Sequence, residues 1–157
     1  AGERAGNWVE IAKGIDPVAD AFSATVYSDV YNCENFGSVE FLVYKGVGAT
    51  GTSTITVQAC DDVVPTTRSA IPFYSQNITS GDTHGALTAR AAAGFDTTAG
   101  SSQIYRIYVN TDELAASGYG FVQLKMVEVV DATVEGAILF IGHEPRFAEN
   151  VMPTAIV

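Results

Sequence analysis

Apolar and polar residues alternate with a period of two along most of this chain, which is the pattern of half-buried β-strands. The alternation is clearest in four runs, at 39–44, 54–59, 105–110 and 122–126. In the last run the phase slips by one residue at Val127 and then continues through Val129. A slip of this kind predicts a β-bulge, in which one extra residue re-aims the strand.

A fifth run, "VEGAILFI" at 134–141, is apolar at both odd and even positions, which is typical of a central strand. Residues 26–31 and 71–78 are weaker strand candidates. Segments rich in Gly, Asp and Thr separate these runs and predict turns. The one helical signal with a clear end is "DELAASG", which predicts a single turn that stops at Gly118.

About eight short strands with Gly-rich turns predict an all-β fold, an antiparallel β-sandwich of the jelly-roll type. The length of 157 residues suits one domain. We expect an N-terminal arm and first strand over 1–22, the sandwich over 23–142 and a C-terminal tail over 143–157.

Both predicted terminal segments of this acidic chain carry apolar side chains. Apolar residues on chain ends predict docking to a neighbouring molecule. The alternative, that both segments fold back onto their own sandwich, remains open at this point. The apolar residues concerned are Trp8, Ile11 and Ile15 in the first segment and Phe147 and Met152 in the second.

The charge and the hydropathy pattern argue against two classes of partner. Eight Lys and Arg stand against 18 Asp and Glu, for a formal net charge of −10. Nucleic-acid binding relies on basic groups that neutralise phosphates, so we expect no nucleic-acid partner. Because no apolar run approaches the roughly 20 residues that span a bilayer, we expect no membrane partner.

No catalytic or cofactor signature is found in the sequence. There is no G-x-S-x-G motif and no phosphate-binding Gly loop, and His84 and His143 lack the spacing of a zinc site. We therefore predict no enzymatic activity, no metal and no cofactor. Cys33 and Cys60 are expected to be buried free thiols, although a bridge between two strand ends is conceivable.

Two further groups of residues allow a functional and a structural interpretation. Asp61 and Asp62 follow a predicted strand, and we interpret them as the rim of the sandwich rather than as a site, because adjacent strand residues point to opposite faces. Four tyrosines in or near strand runs could form an aromatic platform for sugars or could be core residues: Tyr27, Tyr31, Tyr44 and Tyr108.

The order of several segments is similar to that of a known class of viral proteins. "IAKGIDPVADAFSATVYSDVYN" leads into "VEFLVYKGVG" and "STITVQACDD"; later "YRIYVNTDELAASGYGFVQLKMVEV" precedes a last strand and "EPRFAENV". This layout, over about residues 11–148, resembles the small head proteins encoded near the major capsid gene of tailed bacteriophages and gene-transfer particles, the capsid decoration or cement proteins.

The resemblance implies a structural virion protein that is made in the cytoplasm of the host bacterium and binds the outer surface of the assembled capsid. Its partners would be the major capsid protein and two further copies of itself, as a homotrimer. The residues expected at capsid or inter-subunit contacts are Trp8, Ile11, Ile15, Arg146, Phe147 and Met152. The alternative function is a carbohydrate-binding or receptor-binding β-sandwich module of a phage fibre or spike.

Overall fold

Residues 9–79 and 81–145 are described by a computed structural model, and they form thirteen β-strands and one short helix. In chain order these elements are β1 Val9–Val18, β2 Thr25–Tyr27, β3 Tyr31–Asn32, β4 Phe36–Lys45, β5 Thr52–Cys60, β6 Arg68–Ile71, β7 Phe73–Thr79, β8 Thr83–His84, β9 Thr88–Arg90, β10 Phe95–Asp96, β11 Gln103–Asn110, α1 Thr111–Ala116, β12 Phe121–Val130 and β13 Gly136–Pro145.

The strands form two antiparallel sheets that enclose one core. The seven-stranded sheet has the order β1-β13-β4-β11-β7-β8, with β9 also paired to β7. The six-stranded sheet has the order β10-β5-β12-β2, with β3 also paired to β12 and β6 also paired to β5. Every observed strand pair is antiparallel, which confirms the predicted all-β sandwich.

The strand pairing is nested in the way that defines a jelly roll. The first strand pairs with the last, β2 and β3 pair with β12, β4 pairs with β11, and β5 pairs with β6. If β2 and β3 are taken as one interrupted strand, these make the eight main strands of that fold, four in each sheet. The remaining strands, β7 to β10, extend the sheets at their sides.

The expected number of about eight strands is therefore too low, because the chain forms thirteen. Five of the strands contain only two or three residues, namely β2, β3, β8, β9 and β10. A run this short holds too few residues to show a period-two alternation, so hydrophobic patterning does not detect it.

Aromatic rings fill the space between the two sheets. Tyr31 is completely buried, and its ring stacks on that of Phe140 with the ring centres 3.9 Å apart. Phe41 meets both rings edge-on. Gly142 makes room for this cluster, because a Cβ at that position would lie 2.5 Å from the ring of buried Phe36.

The described parts of the two predicted terminal segments lie within the seven-stranded sheet. β1 pairs with β13 from Val9 opposite His143 to Val18 opposite Gly136. Ala21 and Phe22, which follow β1, are buried in the core. β13 itself runs to Pro145 and pairs on its other side with β4. Residues 9–22 and 143–145 are thus integral to the sandwich.

Three smaller predictions from the sequence hold in the structure. The predicted helical turn is α1. The Asn110 side chain caps its N-terminus by accepting a hydrogen bond from the Asp112 N–H, and Gly118 follows its C-terminus with a φ of +85°. The ladder between β12 and β5 is irregular between Glu128 and Val130, close to the predicted phase slip. Cys33 and Cys60 are both free and buried, and burial raises the pKa of Cys60 to about 11.

Candidate functional site: the outer face of the seven-stranded sheet

The outer surfaces of the two sheets differ in composition. On the six-stranded sheet the outward side combines polar residues of β5 and β12, such as Thr54, Thr56 and Lys125, with apolar ones. The apolar residues on that side are Tyr27, Phe121, Val127 and Val130. On the seven-stranded sheet the outward residues are mostly Ile, Leu and Tyr, although no described element packs over them.

Cross-strand register arranges these outward residues in three rows across five strands. The first row runs from Ile11 through Ile141, Glu40 and Tyr108 to Tyr74. The second row contains Lys13, Leu139, Leu42, Arg106 and Gln76 in strand order. The third row contains Ala137, Tyr44, Ile104 and Ile78.

We call the apolar members of these rows the apolar face: Ile11, Leu42, Tyr44, Tyr74, Ile78, Ile104, Tyr108, Ala137, Leu139 and Ile141. Four of them are large and well exposed, with 63% of Ile11, 48% of Tyr44 and 42% of both Tyr74 and Leu139 open to solvent. The rest are half-buried. Five strands at about 4.8 Å spacing make this face roughly 19 Å wide. Contiguous apolar surface of this extent generally marks an interaction site.

A charged cluster lies in the middle of the apolar face, and its charges are paired. Glu40 is only 1% exposed although it points outward, because Arg106 and His143 cover it. Arg106 donates from Nε to Glu40 Oε1 at 2.6 Å, and His143 Nε2 lies 2.9 Å from Glu40 Oε2. The hydrogen bond to Glu40 raises the pKa of Arg106. The cluster therefore places no unpaired carboxylate on the face.

Grooves adjoin the apolar face at both ends of its strands. One, of about 600 Å³, is lined by Val9, Arg106, Tyr108, His143 and Pro145 among others. Another, of about 460 Å³, lies at the opposite end, beside Val18, Tyr44 and Ala137. A partner that covers the face could therefore insert side chains at either end, which is how interfaces hold their anchoring residues.

The predicted contact residues divide into three groups. Ile11 lies on the apolar face, at its edge strand. Ile15 is partly buried and packs against the core of its own sandwich. The other four predicted contacts, Trp8, Arg146, Phe147 and Met152, lie outside the described residues.

The four tyrosines considered as a sugar platform do not share one surface. Tyr31 is a core residue. Tyr27 lies on the six-stranded sheet, opposite Lys125. Tyr44 and Tyr108 belong to the apolar face, where they occupy different rows on neighbouring strands. The idea of a single four-ring platform is therefore wrong.

Asp61 and Asp62, the pair of acids considered in the sequence, stabilise the loop in which they lie. Asp61 accepts hydrogen bonds from the backbone N–H groups of Thr66 and Thr67 and from the Thr66 hydroxyl, which lower the pKa of Asp61. Asp62 accepts from the backbone N–H of Val63. The two carboxylates thus hold the loop after β5. Among residues 9–79 and 81–145, no group of three His, Cys, Asp or Glu side chains could hold a metal ion.

Sequence patterning missed most of the apolar face. Glu40, Leu42, Tyr74, Ile104, Leu139 and Ile141 were not singled out as contact residues, although a signal for some of them was present. The run at 134–141 is apolar at both parities because one parity enters the core and the other lies on the apolar face. Its strand has neighbours on both sides, as a central strand does, but its outer surface is uncovered in the described part of the chain.

Comparison with known proteins adds little to this picture. No protein-family model matches the chain, and no curated protein matches it. Among solved structures, the SPBc2 prophage-derived protein YomS is similar with a TM-score of 0.47 and 10% identity, over 85% of this chain and 91% of that one. A structure of infectious bursal disease virus, Gx strain, gives a TM-score of 0.26 and 12% identity, over 87% and 42%. These low values carry no conclusion about function.

The described residues also contain no helix of the length and apolar character needed to span a membrane.

Proposed function

We propose that this protein is a structural component of a phage virion, a cement or decoration protein that binds the outer surface of the assembled capsid and stabilises it. Its partners would be the major capsid protein and further copies of itself in a homotrimer. It would act by binding alone, without catalysis. The observation that carries this proposal is the apolar face, where apolar residues of five neighbouring strands lie side by side.

The composition of the apolar face supports a protein partner. Tyr and Arg are enriched in protein interfaces, and unpaired charges are depleted there. The face contains Tyr44, Tyr74 and Tyr108 together with Arg106, and the Arg106 charge is already matched by Glu40. Covering such a surface removes apolar area from water without burying an isolated charge.

Stabilisation of the capsid would follow from binding linkage. A protein that binds the assembled shell but not its separated subunits stabilises the shell by its binding free energy. Repetition over a symmetric lattice, and linkage of three copies in one trimer, would turn a modest contact into strong attachment.

The proposal is tested with shells assembled from a tailed-phage major capsid protein, the proposed partner. Purified protein is mixed with undecorated shells, and we expect co-sedimentation at a fixed stoichiometry and disruption of the shells at a higher temperature. Absence of binding together with an unchanged disruption temperature would contradict the proposal.

A second candidate function, the carbohydrate-binding or receptor-binding module, is favoured by the exposed rings of Tyr44 and Tyr74 on one sheet face. Aromatic rings offer flat apolar surfaces to sugars. A glycan array run on the same preparation discriminates the two functions. Glycan binding that disappears on Tyr44→Ala, without any binding to shells, would favour the module.

A further inference from the structure

The outer face of the six-stranded sheet, opposite the apolar face, carries two neighbouring basic residues. Arg68 on β6 reaches across β5 and β12, so that its guanidinium carbon lies 5.0 Å from the centre of the Tyr27 ring on β2. Lys125 on β12 places its Nζ 5.8 Å from the same ring centre. Two of the eight basic residues of a strongly acidic chain therefore meet at one aromatic ring.

The Arg68 side chain is held in this position by buried groups. Its Nε donates to Gln123 Oε1 at 3.0 Å, and Gln123 is only 5% exposed. Gln123 is oriented in turn by a 2.7 Å hydrogen bond from its Nε2 to the carbonyl oxygen of Ser28. Nε is thus engaged, and the hydrogen bonds of the described residues leave the two terminal nitrogens of the guanidinium to other acceptors. A guanidinium oriented in this way binds a carboxylate with two parallel hydrogen bonds.

No carboxylate of the described residues lies within 4.0 Å of Arg68 or Lys125; the ion pairs there involve Lys13, Arg106 and His143 instead. A basic pair without a counter-ion among the described residues, on a chain of net charge −10, is a matched surface for an acidic partner.

A suitable acidic counterpart lies on the same chain, at α1. The sequence has two adjacent pairs of acids, and the carboxylates of Asp61 and Asp62 are occupied by their own loop. Asp112 and Glu113 are exposed in the first turn of α1, and the part of the chain that the structure describes offers their carboxylates no hydrogen-bond donor. This second pair can therefore contact another molecule.

We infer that Arg68 and Lys125 of one copy bind Asp112 and Glu113 of a second copy of this chain. The contact joins two different surfaces, so it is heterologous, and repetition of a heterologous contact closes a ring when the rotation permits. On the acidic side the contact lies beside one end of the apolar face, because Asp112 lines a groove together with Tyr74 and Tyr108. The inference rests on the self-association included in the proposed function, but it does not depend on binding to shells.

The test is a charge exchange, followed by sedimentation velocity of the full-length chain at low salt and without shells. The acidic substitution pair Arg68→Glu with Lys125→Glu should weaken self-association by at least tenfold, and so should Asp112→Lys with Glu113→Lys. Because the four changes together leave the net charge unaltered, the quadruple variant should recover association. Arg68→Gln with Lys125→Gln serves as a milder version if the reversed charges disturb folding.

The matched control for Arg68→Gln with Lys125→Gln is Ala86→Asp with Leu87→Asp, which lowers the net charge by the same two units at exposed positions between β8 and β9. It should leave association within about twofold of the parent. Failure of the quadruple variant to recover, or an equal loss with Ala86→Asp and Leu87→Asp, would overturn the inference. Shell binding is measured separately on the same variants, so that loss of self-association with retained shell binding, or the reverse, shows which proposal has failed.

Discussion

Replacement of Leu139 by Asp is expected to weaken binding to undecorated shells by roughly 100-fold. Leu139 lies in the middle row of the apolar face, between Lys13 and Leu42, and is 42% exposed, so the substitution need not disturb the core. A partner that covers this position would have to desolvate the new carboxylate, which costs several kcal/mol even though Lys13, its cross-strand neighbour, offers a counter-charge. Binding is measured by co-sedimentation of the variant with shells over a range of protein concentrations.

The matched control for this substitution is Val129→Asp. Val129 is an exposed apolar residue, 54% open to solvent, near the end of β12 in the other sheet, and its substitution changes the net charge by the same amount. We expect Val129→Asp to bind shells nearly as well as the parent chain. An equal loss of binding in both variants would mean that net charge, and not the apolar face, governs attachment.

Substitution of Glu40 by Leu is expected to lower the free energy of unfolding by about 1–3 kcal/mol. Removal of one partner of a buried ion pair generally costs about 3–5 kcal/mol because it strands the other charge. Arg106 and His143 each remain 31% exposed, so water can solvate them in part and the expected loss is smaller. Chemical denaturation of the purified variant measures the change.

A double substitution separates the ion pair from simple packing. Glu40→Leu with Arg106→Leu removes both charges of the closest contact, and replacement of a buried pair by apolar residues is often neutral. The double variant should therefore be more stable than Glu40→Leu alone. If the decrease in unfolding free energy of the double variant equals the sum of the decreases of the two single variants, Glu40 and Arg106 are not energetically coupled. That result would contradict our interpretation that the two charges neutralise each other on the apolar face.

The strands and their inward faces were largely predictable, because burial on one side imposes a period of two. The runs around Phe41, Ile107 and Leu124 all place their alternate residues in the core, as their patterns indicated. The end of the helical turn could likewise be predicted from the local sequence, because the positive φ that follows the turn favours Gly, here Gly118.

The apolar face could not be predicted in the same way, because it is assembled from residues far apart in the chain. Glu40 meets Arg106 across 66 residues and His143 across 103 residues. Alternation shows that Leu42 and Tyr44 share one side of their strand, but it does not show whether another element covers that side. Only the sheet order shows that five strands contribute apolar residues to one surface, over which no other element of residues 9–79 and 81–145 packs.

Tyr31 illustrates the opposite error, in which a plausible surface ring belongs to the core. Its strand contains only two residues, Tyr31 and Asn32, and a run of this length has no alternation from which a side could be assigned. The stacking partner, Phe140, lies in the last strand of the other sheet. Contacts between the two sheets thus decide its position, and the local sequence does not contain them.

Hydroxyl-radical footprinting of the protein on and off the shell tests most directly whether the apolar face is the docking surface. The method reports the solvent accessibility of individual side chains, and both sheets offer exposed residues for comparison. We predict that binding to the shell strongly protects Ile11, Tyr44, Tyr74 and Leu139 from oxidation. Tyr27 and Val129 should be oxidised to the same extent in the shell-bound protein as in the free protein. Protection of Tyr27 and Val129 with unchanged oxidation of the apolar face would contradict the proposed docking surface.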